Sequence, residues 1–255
     1  MSSGPLQLTP LLDFPRVTSG DALADMIVDA MQRQGLIPDS SGVLVVAQKI
    51  ISKAEGRLVN LADVLVTEEA VSLANKAQKD PRLVALILQE SLAVIRIRPG
   101  LIIAEHRTGH ILANAGIDAS NVGVSGDYVL LWPEDPDRSA REISERIAAL
   151  TGVSIPIVIN DSLGRPWRMG TVGFAIGTCG LEPVWDQVGE HDLDGRKMQV
   201  TAPAMADALA AGASLVQGET SQGQPIVWVT GCALRASETA TSQHLLRTQG
   251  QDLFR

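Results

Sequence analysis

The sequence contains little cysteine, few aromatic residues and no long apolar run. Its two cysteines, Cys179 and Cys232, lack the short spacing of a metal-ligand pair. Reduced thiols of a cytosolic protein are favoured, and a disulfide between the two stays open. No apolar stretch approaches the roughly 20 residues of a membrane helix, and no basic segment precedes an apolar one at the N-terminus. We therefore expect a soluble, cytoplasmic protein that does not enter a membrane.

Basic residues are also in deficit. Lys and Arg total 21 against 29 Asp and Glu, which gives a net charge of -8. Nucleic acids and anionic membranes attract clustered Lys and Arg, so this balance argues against both as partners. An anionic ligand must then be bound locally, by a metal ion or by a few basic side chains. The hydrophobic fraction of 45% is ordinary for a globular protein, and with 3% aromatic residues the core should be aliphatic.

Histidine and several common nucleotide motifs are likewise scarce or missing. His106, His110, His191 and His244 are scattered, which argues against a His-rich metal site or a Ser-His-Asp triad. We expect structural or surface roles for them, with His110 the best exception because it precedes Asp118. The sequence has no P-loop, no complete dinucleotide fingerprint and no Gly-x-Ser-x-Gly nucleophile elbow.

The most informative segment is Asn160–Gly170, which follows the apolar run Ile155–Ile159. Such a β-branched run predicts a buried strand, and the polar residues after it predict a loop. Asp161 in this loop can bind a hard divalent cation, whereas Arg165 and Arg168 suit phosphate or carboxylate oxygens. The alternative is an Asp-capped turn whose arginines form surface ion pairs.

Apolar periodicity predicts a mixture of helices and strands without a simple alternating repeat. Helices are predicted at 21–34, 67–79, 81–91, 138–151 and 202–215, and strands at 43–47, 94–98, 101–105, 110–114, 129–132, 155–159 and 225–230. Ser19 or Asp21 should cap the first helix and Thr201 the last. Segment 48–57 is predicted to be a polar turn. We expect one domain over residues 1–237, with 238–255 as a loosely held polar tail.

Three acidic residues occupy similar settings. Asp118, Asp161 and Glu219 each closely follow an apolar run and have glycine, hydroxyl or amide neighbours. Carboxylate and hydroxyl oxygens suit Mg²⁺ or Mn²⁺ better than Zn²⁺. A one- or two-metal site for phosphoryl transfer is one hypothesis for this pattern, and ordinary acid-bearing turns, which are common, are the alternative. Lys53, with Ser52 and Gly56, is a candidate phosphate cradle.

Taken together, these segments resemble the coenzyme F420 gamma-glutamyl ligase family. The matching segments lie in the same order along residues 8–235, and they are 51–57, 113–122, 133–140, 160–177, 201–207 and 218–219. The resemblance implies a mixed α/β, two-lobed protomer with mixed sheets, distinct from P-loop and Rossmann folds, that forms an intertwined homodimer.

The resemblance also implies a reaction, in which GTP drives the addition of L-glutamate to the phospholactyl carboxylate of the deazaflavin precursor coenzyme F420-0. The γ-phosphoryl group passes to that carboxylate, and the glutamate amine then displaces phosphate to form an amide. Because a carboxylate attacking a triphosphate brings like charges together, bound cations must neutralise them. Two Mg²⁺ or Mn²⁺ ions are implied, with K⁺ as a further candidate.

Site residues follow from the same resemblance. The positions that match the family's metal ligands are Asp118, Asp161, Ser162 and Glu219. The positions that match its nucleotide contacts are Phe14, Pro15, Arg16, Val17, Gln48, Lys49, Lys53, Asn121, Gln217, Gly218, Thr220, Ser221, Gln222, Gly223 and Gln224. Asp161, Arg165 and Arg168 are the candidate catalytic residues, and the two arginines are expected to bind either phosphate or the substrate carboxylate.

The sequence departs from the family pattern at Ala208, Gln217 and Thr230, where Glu, Met and Arg are frequent. These changes bear on the substrate and on the number of glutamates added more than on the metal site. Two other functions stay open from the residues alone. One is a metal-dependent nucleotide or phosphate-ester hydrolase, and the other is a GTP-binding module without catalysis.

Overall fold

The computed structural model describes residues 4–122 and 127–253. The elements, in chain order, are β1 (Gln7–Pro10), α1 (Leu23–Arg33), β2 (Val43–Ala47), α2 (Gln48–Ala54), β3 (Leu58–Asn60), α3 (Glu68–Ala77), α4 (Pro81–Gln89), β4 (Ser91–Arg98), β5 (Leu101–His106), β6 (Ile111–Ala113), β7 (Tyr128–Leu130), α5 (Pro136–Thr151), β8 (Ile157–Arg165), β9 (Arg168–Cys179), α6 (Met205–Gln217) and β10 (Ile226–Thr230). Short 3₁₀ helices cover Leu61–Asp63, Asn114–Gly116, Ser242–Leu245 and Gln249–Gln251. No helix in the described part is both long and apolar enough to cross a membrane.

The main sheet has five strands in the order β1-β10-β2-β8-β9. Only β2 and β8 run parallel, and the other neighbours are antiparallel. Alternate residues of a strand face opposite sides of a sheet, so each strand contributes to two cores. Leu44 and Ile157 pack with α1 and α5 on one side, whereas Val45 and Val158 pack with α6 on the other.

A smaller lobe contains the three-stranded antiparallel sheet β4-β5-β6. Helices α3 and α4 pack on it through a separate core cluster that includes Ala70, Val84 and Ile102. The predicted break between these helices is confirmed, because Asp80 accepts a hydrogen bond from the Arg82 N–H and Pro81 occupies the first turn. The predicted mixed α/β class is confirmed as well.

The segment Asn160–Gly170 is not a loop, and that prediction was wrong. β8 continues to Arg165, turns at Pro166 and Trp167, and returns as β9. The register shifts between Ile159 and Asn160, at the point where the apolar run ends. Beyond Asn160, β8 pairs with β9 and with no other strand of the described residues, so these polar residues form a two-stranded arm.

Several local predictions also differ from the structure. Segment 48–57 contains helix α2 rather than only a turn, and β1 was missed. The predicted caps were wrong, since α1 begins after Ala22 and α6 after Ala204 without a side-chain cap bond. Asp21 instead accepts a hydrogen bond from the Thr18 N–H at 2.7 Å. Propensity locates a helix more reliably than its first residue. Both cysteines carry free, partly buried thiols, as the favoured interpretation predicted.

Part of the C-terminal tail is held firmly, contrary to the expectation of a loose segment. Ser242 is 1% exposed, and its N–H and hydroxyl both donate to the Asp137 carboxylate at 2.9 Å. The same carboxylate accepts from the Thr178 N–H at 2.7 Å. Asp137 therefore fastens the tail and β9 to the start of α5.

We expect Asp137→Ala to lower the free energy of unfolding by about 2–4 kcal/mol, because it leaves the buried donors of Thr178 and Ser242 without this acceptor. Urea unfolding followed by circular dichroism measures the change. The matched control is Asp29→Ala on the exposed face of α1, with an expected change below about 0.5 kcal/mol. Equal stabilities of the two variants would contradict this role of Asp137.

Candidate functional site

The predicted site residues gather at one edge of the main sheet. Because β2 and β8 are parallel, their carboxyl ends meet there and deliver Lys49 and Asp161. β10 is antiparallel to β2, so the segment that precedes it, residues 217–225, reaches the same edge. Sheet topology therefore brings together residues more than 100 positions apart in the chain.

Asp118 joins this edge through a neighbouring strand. Its backbone N–H and C=O both bond to Leu130, at 3.0 and 2.7 Å. Its carboxylate lies 2.5 Å from the Lys49 Nζ and accepts from the Ser120 N–H and hydroxyl. Burial opposes ionisation of Asp118, but these bonds outweigh it and lower the pKa of the carboxyl. Asp118 is thus held as a carboxylate.

The negative charge of the Asp161 carboxylate is less well compensated than that of Asp118. Its Oδ2 accepts from the Trp132 Nε1–H at 2.8 Å and its Oδ1 from the Ser162 N–H at 2.8 Å. Burial raises the pKa of Asp161 to about 7, with the nearby charge of Asp118 acting in the same direction and Lys49 acting against it. Asp118 and Asp161 therefore interact as two carboxylates that share one local cation, Lys49.

Glu219 is brought beside Asp161 by a pair of side-chain contacts. The Ser162 hydroxyl donates to the Glu219 Oε1 at 2.5 Å. Two residues earlier on each segment, the Asn160 Nδ2 donates to the Gln217 Oε1 at 2.6 Å, and both of these side chains are buried. The Gln217 Nε2 in turn donates to the Pro225 carbonyl at 3.1 Å. The Asn160–Gln217 contact thus fixes where the Glu219 loop starts.

A group of basic side chains adjoins the carboxylates. The Lys53 ammonium, half-buried on α2, donates to the Asn121 carbonyl at 2.7 Å, and the Asn121 Nδ2 donates to the Thr220 carbonyl at 3.2 Å. Burial, followed by the positive charges of Lys49 and Arg16, lowers the pKa of Lys53. Lys53, Lys49 and Arg16 thus place three positive charges close together in a protein of net charge -8, an arrangement that suits an anionic ligand.

The other residues predicted to contact a nucleotide differ in how far they are exposed to solvent. Val17 is buried and Phe14 packs partly against the core, so Pro15 and Arg16 form the outer part of that segment. Gln48 is 1% exposed and accepts from the Ser52 hydroxyl at 2.8 Å. Gly218, Thr220, Ser221, Gln222 and Gly223 are exposed, whereas Gln217 is buried and Gln224 is partly buried.

Ser52 does not belong to a phosphate cradle, and that prediction was wrong. The side chain is 0% exposed, and its hydroxyl donates to the Gln48 Oε1 within the same helix. Gly56 ends α2 with a φ of +70°, a conformation that favours glycine. Of the three cradle residues, only Lys53 presents a group that could bind phosphate.

Arg165 and Arg168 lie apart from the carboxylates. They face each other in the register of the β8–β9 arm, next to its turn. Four residues of strand separate Arg165 from Asp161, which corresponds to roughly 13 Å at the usual rise per residue. The Arg165 guanidinium donates to the Gly170 carbonyl at 3.2 Å. An extended ligand would be needed to span from Asp161 to these arginines.

The oxygen donors of Asp118, Asp161, Ser162 and Glu219 suit a hard divalent cation. Within residues 4–122 and 127–253, however, no three His, Cys, Asp or Glu side chains form a group that could hold a metal ion. Mg²⁺ is commonly held by one or two carboxylates together with water and substrate phosphates. The donor set therefore fits a cation bound jointly with a phosphate ligand, and does not fit a structural metal.

A cavity of about 620 Å³ lies between the start of α5 and the tail, where Arg107, Arg141 and Gln243 line it. None of the predicted site residues is among its lining side chains. The predicted site is therefore distinct from this cavity.

The buried groups behind the site were not predicted from the sequence. Trp132 is 0% exposed and contacts His106 and His110, with ring centroids 5.0 and 5.5 Å apart. His106 is buried, as its expected structural role requires, and His110, the suggested exception, is buried too. Burial lowers the pKa of His110 to about 4, so it is neutral at physiological pH. The Trp132 bond to Asp161 joins positions 29 residues apart, which local periodicity cannot reveal.

The raised pKa of Asp161 makes stability depend on pH. The carboxyl ionises near pH 3.8 when unfolded and near pH 7 when folded, so its contribution is full below pH 3.8 and is lost as the pH rises through 7. We expect the free energy of unfolding of Asp161→Asn, which cannot ionise, to rise relative to that of the wild type by about 2–3 kcal/mol between pH 5 and pH 8. Urea unfolding in a chelator at both pH values measures this gain.

Asp25→Asn is the control for this pH dependence. A hydrogen bond from Arg146 lowers the pKa of Asp25, so this carboxyl does not titrate between pH 5 and pH 8. The stability difference between Asp25→Asn and the wild type should stay constant over that range. A constant difference for Asp161→Asn as well would show that Asp161 ionises at an ordinary pKa.

Comparison with known proteins places this site in context. Residues 12–231 match the family model described as F420-0:Gamma-glutamyl ligase. A protein named coenzyme F420:L-glutamate ligase from Methanothermobacter thermautotrophicus is 41% identical over 245 residues, covering 95% of this chain and 96% of its own. Proteins of the same name from Methanopyrus kandleri and Archaeoglobus fulgidus are 38% and 36% identical, covering 98% of this chain and 98% and 96% of their own. The matched range contains every predicted site residue, and this chain belongs to the F420-0:gamma-glutamyl ligase family.

Proposed function

We propose that this protein is a GTP-dependent ligase that joins L-glutamate to the phospholactyl carboxylate of coenzyme F420-0. The observation that carries the proposal is that acidic and basic side chains lie together at one edge of the main sheet. Asp118 and Asp161 form an acidic pole, and Arg16, Lys49 and Lys53 form a basic one. The family description supplies the acceptor, and the names of the related proteins supply the amino acid.

The reaction proceeds in two displacements. A carboxylate oxygen of the acceptor attacks the γ-phosphorus of GTP, the bond from that phosphorus to the β–γ bridging oxygen breaks, and GDP leaves. The glutamate amine then attacks the acyl carbon, phosphate leaves, and the amine loses a proton as the amide forms. Both steps assemble anions, so the site must lower their mutual repulsion.

The acidic and the basic side chains would have different roles in this chemistry. Asp118, Asp161, Ser162 and Glu219 would hold Mg²⁺ or Mn²⁺, which would neutralise charge on the phosphate oxygens. Lys49 and Lys53 would bind phosphate oxygens directly, with Arg16 and the 217–224 loop beside them. Because Lys49 also pairs with Asp118, a bound triphosphate would draw it from that carboxylate and leave the oxygens of Asp118 available. Arg165 and Arg168 would bind the acidic group of a second reactant.

We also propose a cytoplasmic homodimer that contains two divalent ions and an additional K⁺ ion. Exposed apolar side chains support self-association, since Met169 is 96% exposed at the arm and Leu193 is fully exposed on the loop after β9. Sedimentation of the purified protein tests the dimer, and a monomer at micromolar concentration would contradict it.

The deciding experiment combines the purified protein with GTP, Mg²⁺ or Mn²⁺, coenzyme F420-0 and L-glutamate. Mass spectrometry should show glutamylated product, and sustained GDP release over many turnovers should require both coenzyme F420-0 and L-glutamate. Sustained GDP release without either compound would favour a nucleotide hydrolase. Tight GTP binding without turnover would favour a binding module. The proximity of the Asp118 and Asp161 carboxylates argues against that role, because a protein that only binds GTP needs no paired anionic side chains.

A further inference from the structure

We propose that Trp132 is a positioning residue that sets the orientation and separation of the carboxylates of Asp118 and Asp161. The inference rests on the proposed function, in which these two carboxylates act as a pair. It assigns a role to a side chain that would not touch the reactants. Four observations support it.

The first observation is that one short segment contacts both carboxylate-bearing residues. The Leu130 backbone exchanges two hydrogen bonds with Asp118, at 3.0 and 2.7 Å. Two residues later, the Trp132 indole donates to the Asp161 Oδ2 at 2.8 Å. The segment 130–132 therefore connects Asp118, which lies in an isolated bridge outside the named strands, with Asp161 on β8 of the main sheet.

The second observation is a close approach at Gly116. A Cβ atom at this position would lie 2.5 Å from the Trp132 Nε1, which is closer than real atoms pack, and the φ of Gly116 is +70°. Only glycine suits both constraints. The indole edge that bonds Asp161 thus also abuts the backbone two residues before Asp118, so one ring sets both distances.

The third observation is that the indole cannot easily rotate. It is fully buried, with His106 and His110 against it, and the Thr108 Oγ1 lies 2.9 Å from the Nδ1 of each histidine. The backbone carbonyl of Trp132 accepts from the Arg57 Nε at 2.9 Å, and the Arg57 guanidinium also bonds the buried Glu90 at 2.8 Å. Ring and backbone of Trp132 are therefore both held by buried polar groups.

The fourth observation concerns the chemistry of the donor. An indole N–H donates one hydrogen bond, carries no charge and does not titrate. It fixes the direction of the Asp161 carboxylate while leaving its negative charge uncompensated and other lone pairs available. Lysine or arginine in that place would neutralise the charge that a bound cation needs. Tryptophan is thus suited to holding a carboxylate that must attract a cation.

The test compares two buried tryptophans. Trp132→Phe retains a ring but removes the N–H, and Trp228→Phe makes the same change elsewhere in the same core cluster. We expect Trp132→Phe to weaken binding of Mn²⁺ in the presence of saturating GTP, measured by electron paramagnetic resonance, by about 10–100-fold, the usual effect of losing a group that orients a ligand. The Mn²⁺ concentration for half-maximal ligation should rise in parallel. Trp228→Phe should stay within about twofold of the wild type even if both variants melt at lower temperature.

Asp161→Asn separates failure of this inference from failure of the proposed function. If Asp161→Asn loses Mn²⁺ binding and Trp132→Phe does not, Trp132 is only a packing residue and the inference is wrong. If neither variant changes Mn²⁺ binding, or if the wild-type protein does not bind Mn²⁺, the cation site itself is misassigned and both proposals fail.

A second measurement needs no Trp132 variant. The four tryptophans give four indole N–H resonances in the wild-type protein, and Phe variants of the other three assign that of Trp132 by elimination. Titration with Mg²⁺ in the presence of saturating GTP should shift the Trp132 resonance and leave that of Trp228 in place. An unmoved Trp132 resonance at saturating Mg²⁺ would overturn the inference even if Trp132→Phe failed to fold.

Discussion

Asp161→Asn is expected to lower the rate of glutamate ligation by about 1000-fold or more, the scale seen when a group that stabilises charge in the transition state is removed. Asparagine is close to isosteric, but its single acceptor oxygen can keep the bond from only one of Trp132 and Ser162. The side chain still fills the same space, so the fold should persist. The loss would come from the missing negative charge beside Asp118. Product formation is measured by mass spectrometry at saturating GTP and Mn²⁺.

Two controls make that result specific. Asp25→Asn removes one charge from the surface of α1, where Asp25 pairs with Arg146, and should ligate at the wild-type rate. Urea unfolding at pH 8 should show Asp161→Asn to be at least as stable as the wild type, because burial disfavours the ionised carboxyl that the variant lacks. Glutamylated product at an unchanged rate would exclude Asp161 from the site.

Lys53→Met is expected to raise the KM for GTP about 30-fold while kcat changes less than about threefold. A hydrogen bond to a charged group contributes about 1.5–3 kcal/mol, and 1.4 kcal/mol corresponds to a tenfold change in binding. The Lys53 ammonium is held beside Lys49 and Arg16 despite their repulsion, which an incoming triphosphate would relieve. Initial rates of GDP release over a range of GTP concentrations separate the two constants.

The matched control is Lys76→Met, on the exposed last turn of α3 in the smaller lobe. It removes the same charge without changing the group at the sheet edge, so its KM for GTP should equal that of the wild type. If both variants showed the same KM, net charge rather than a local contact would govern GTP affinity. If Lys53→Met lowered kcat alone, Lys53 would act in the reaction rather than in nucleotide binding.

Local sequence was sufficient for elements with strong periodicity or clear end signals. The Asp80-Pro81 break between α3 and α4 was predicted because an Asp cap and a first-turn proline are local features. The β8–β9 arm was missed for the opposite reason. The glycines and charged residues of the arm have low strand propensity. The polar half of β8 is a strand only because β9 pairs with it along its length.

The sequence by itself determined the chemical character of this protein. Its acidic balance, its oxygen-donor loops and its ordered motifs indicated an anionic ligand and a hard cation, and the family match followed from the same residues. Only the tertiary structure decided which of these groups meet. The parallel pairing of β2 with β8 placed Lys49 near Asp161, and Trp132 joined Asp161 to the segment that carries Asp118. Such contacts depend on strand order and on burial, and neither is encoded in the spacing of neighbouring residues.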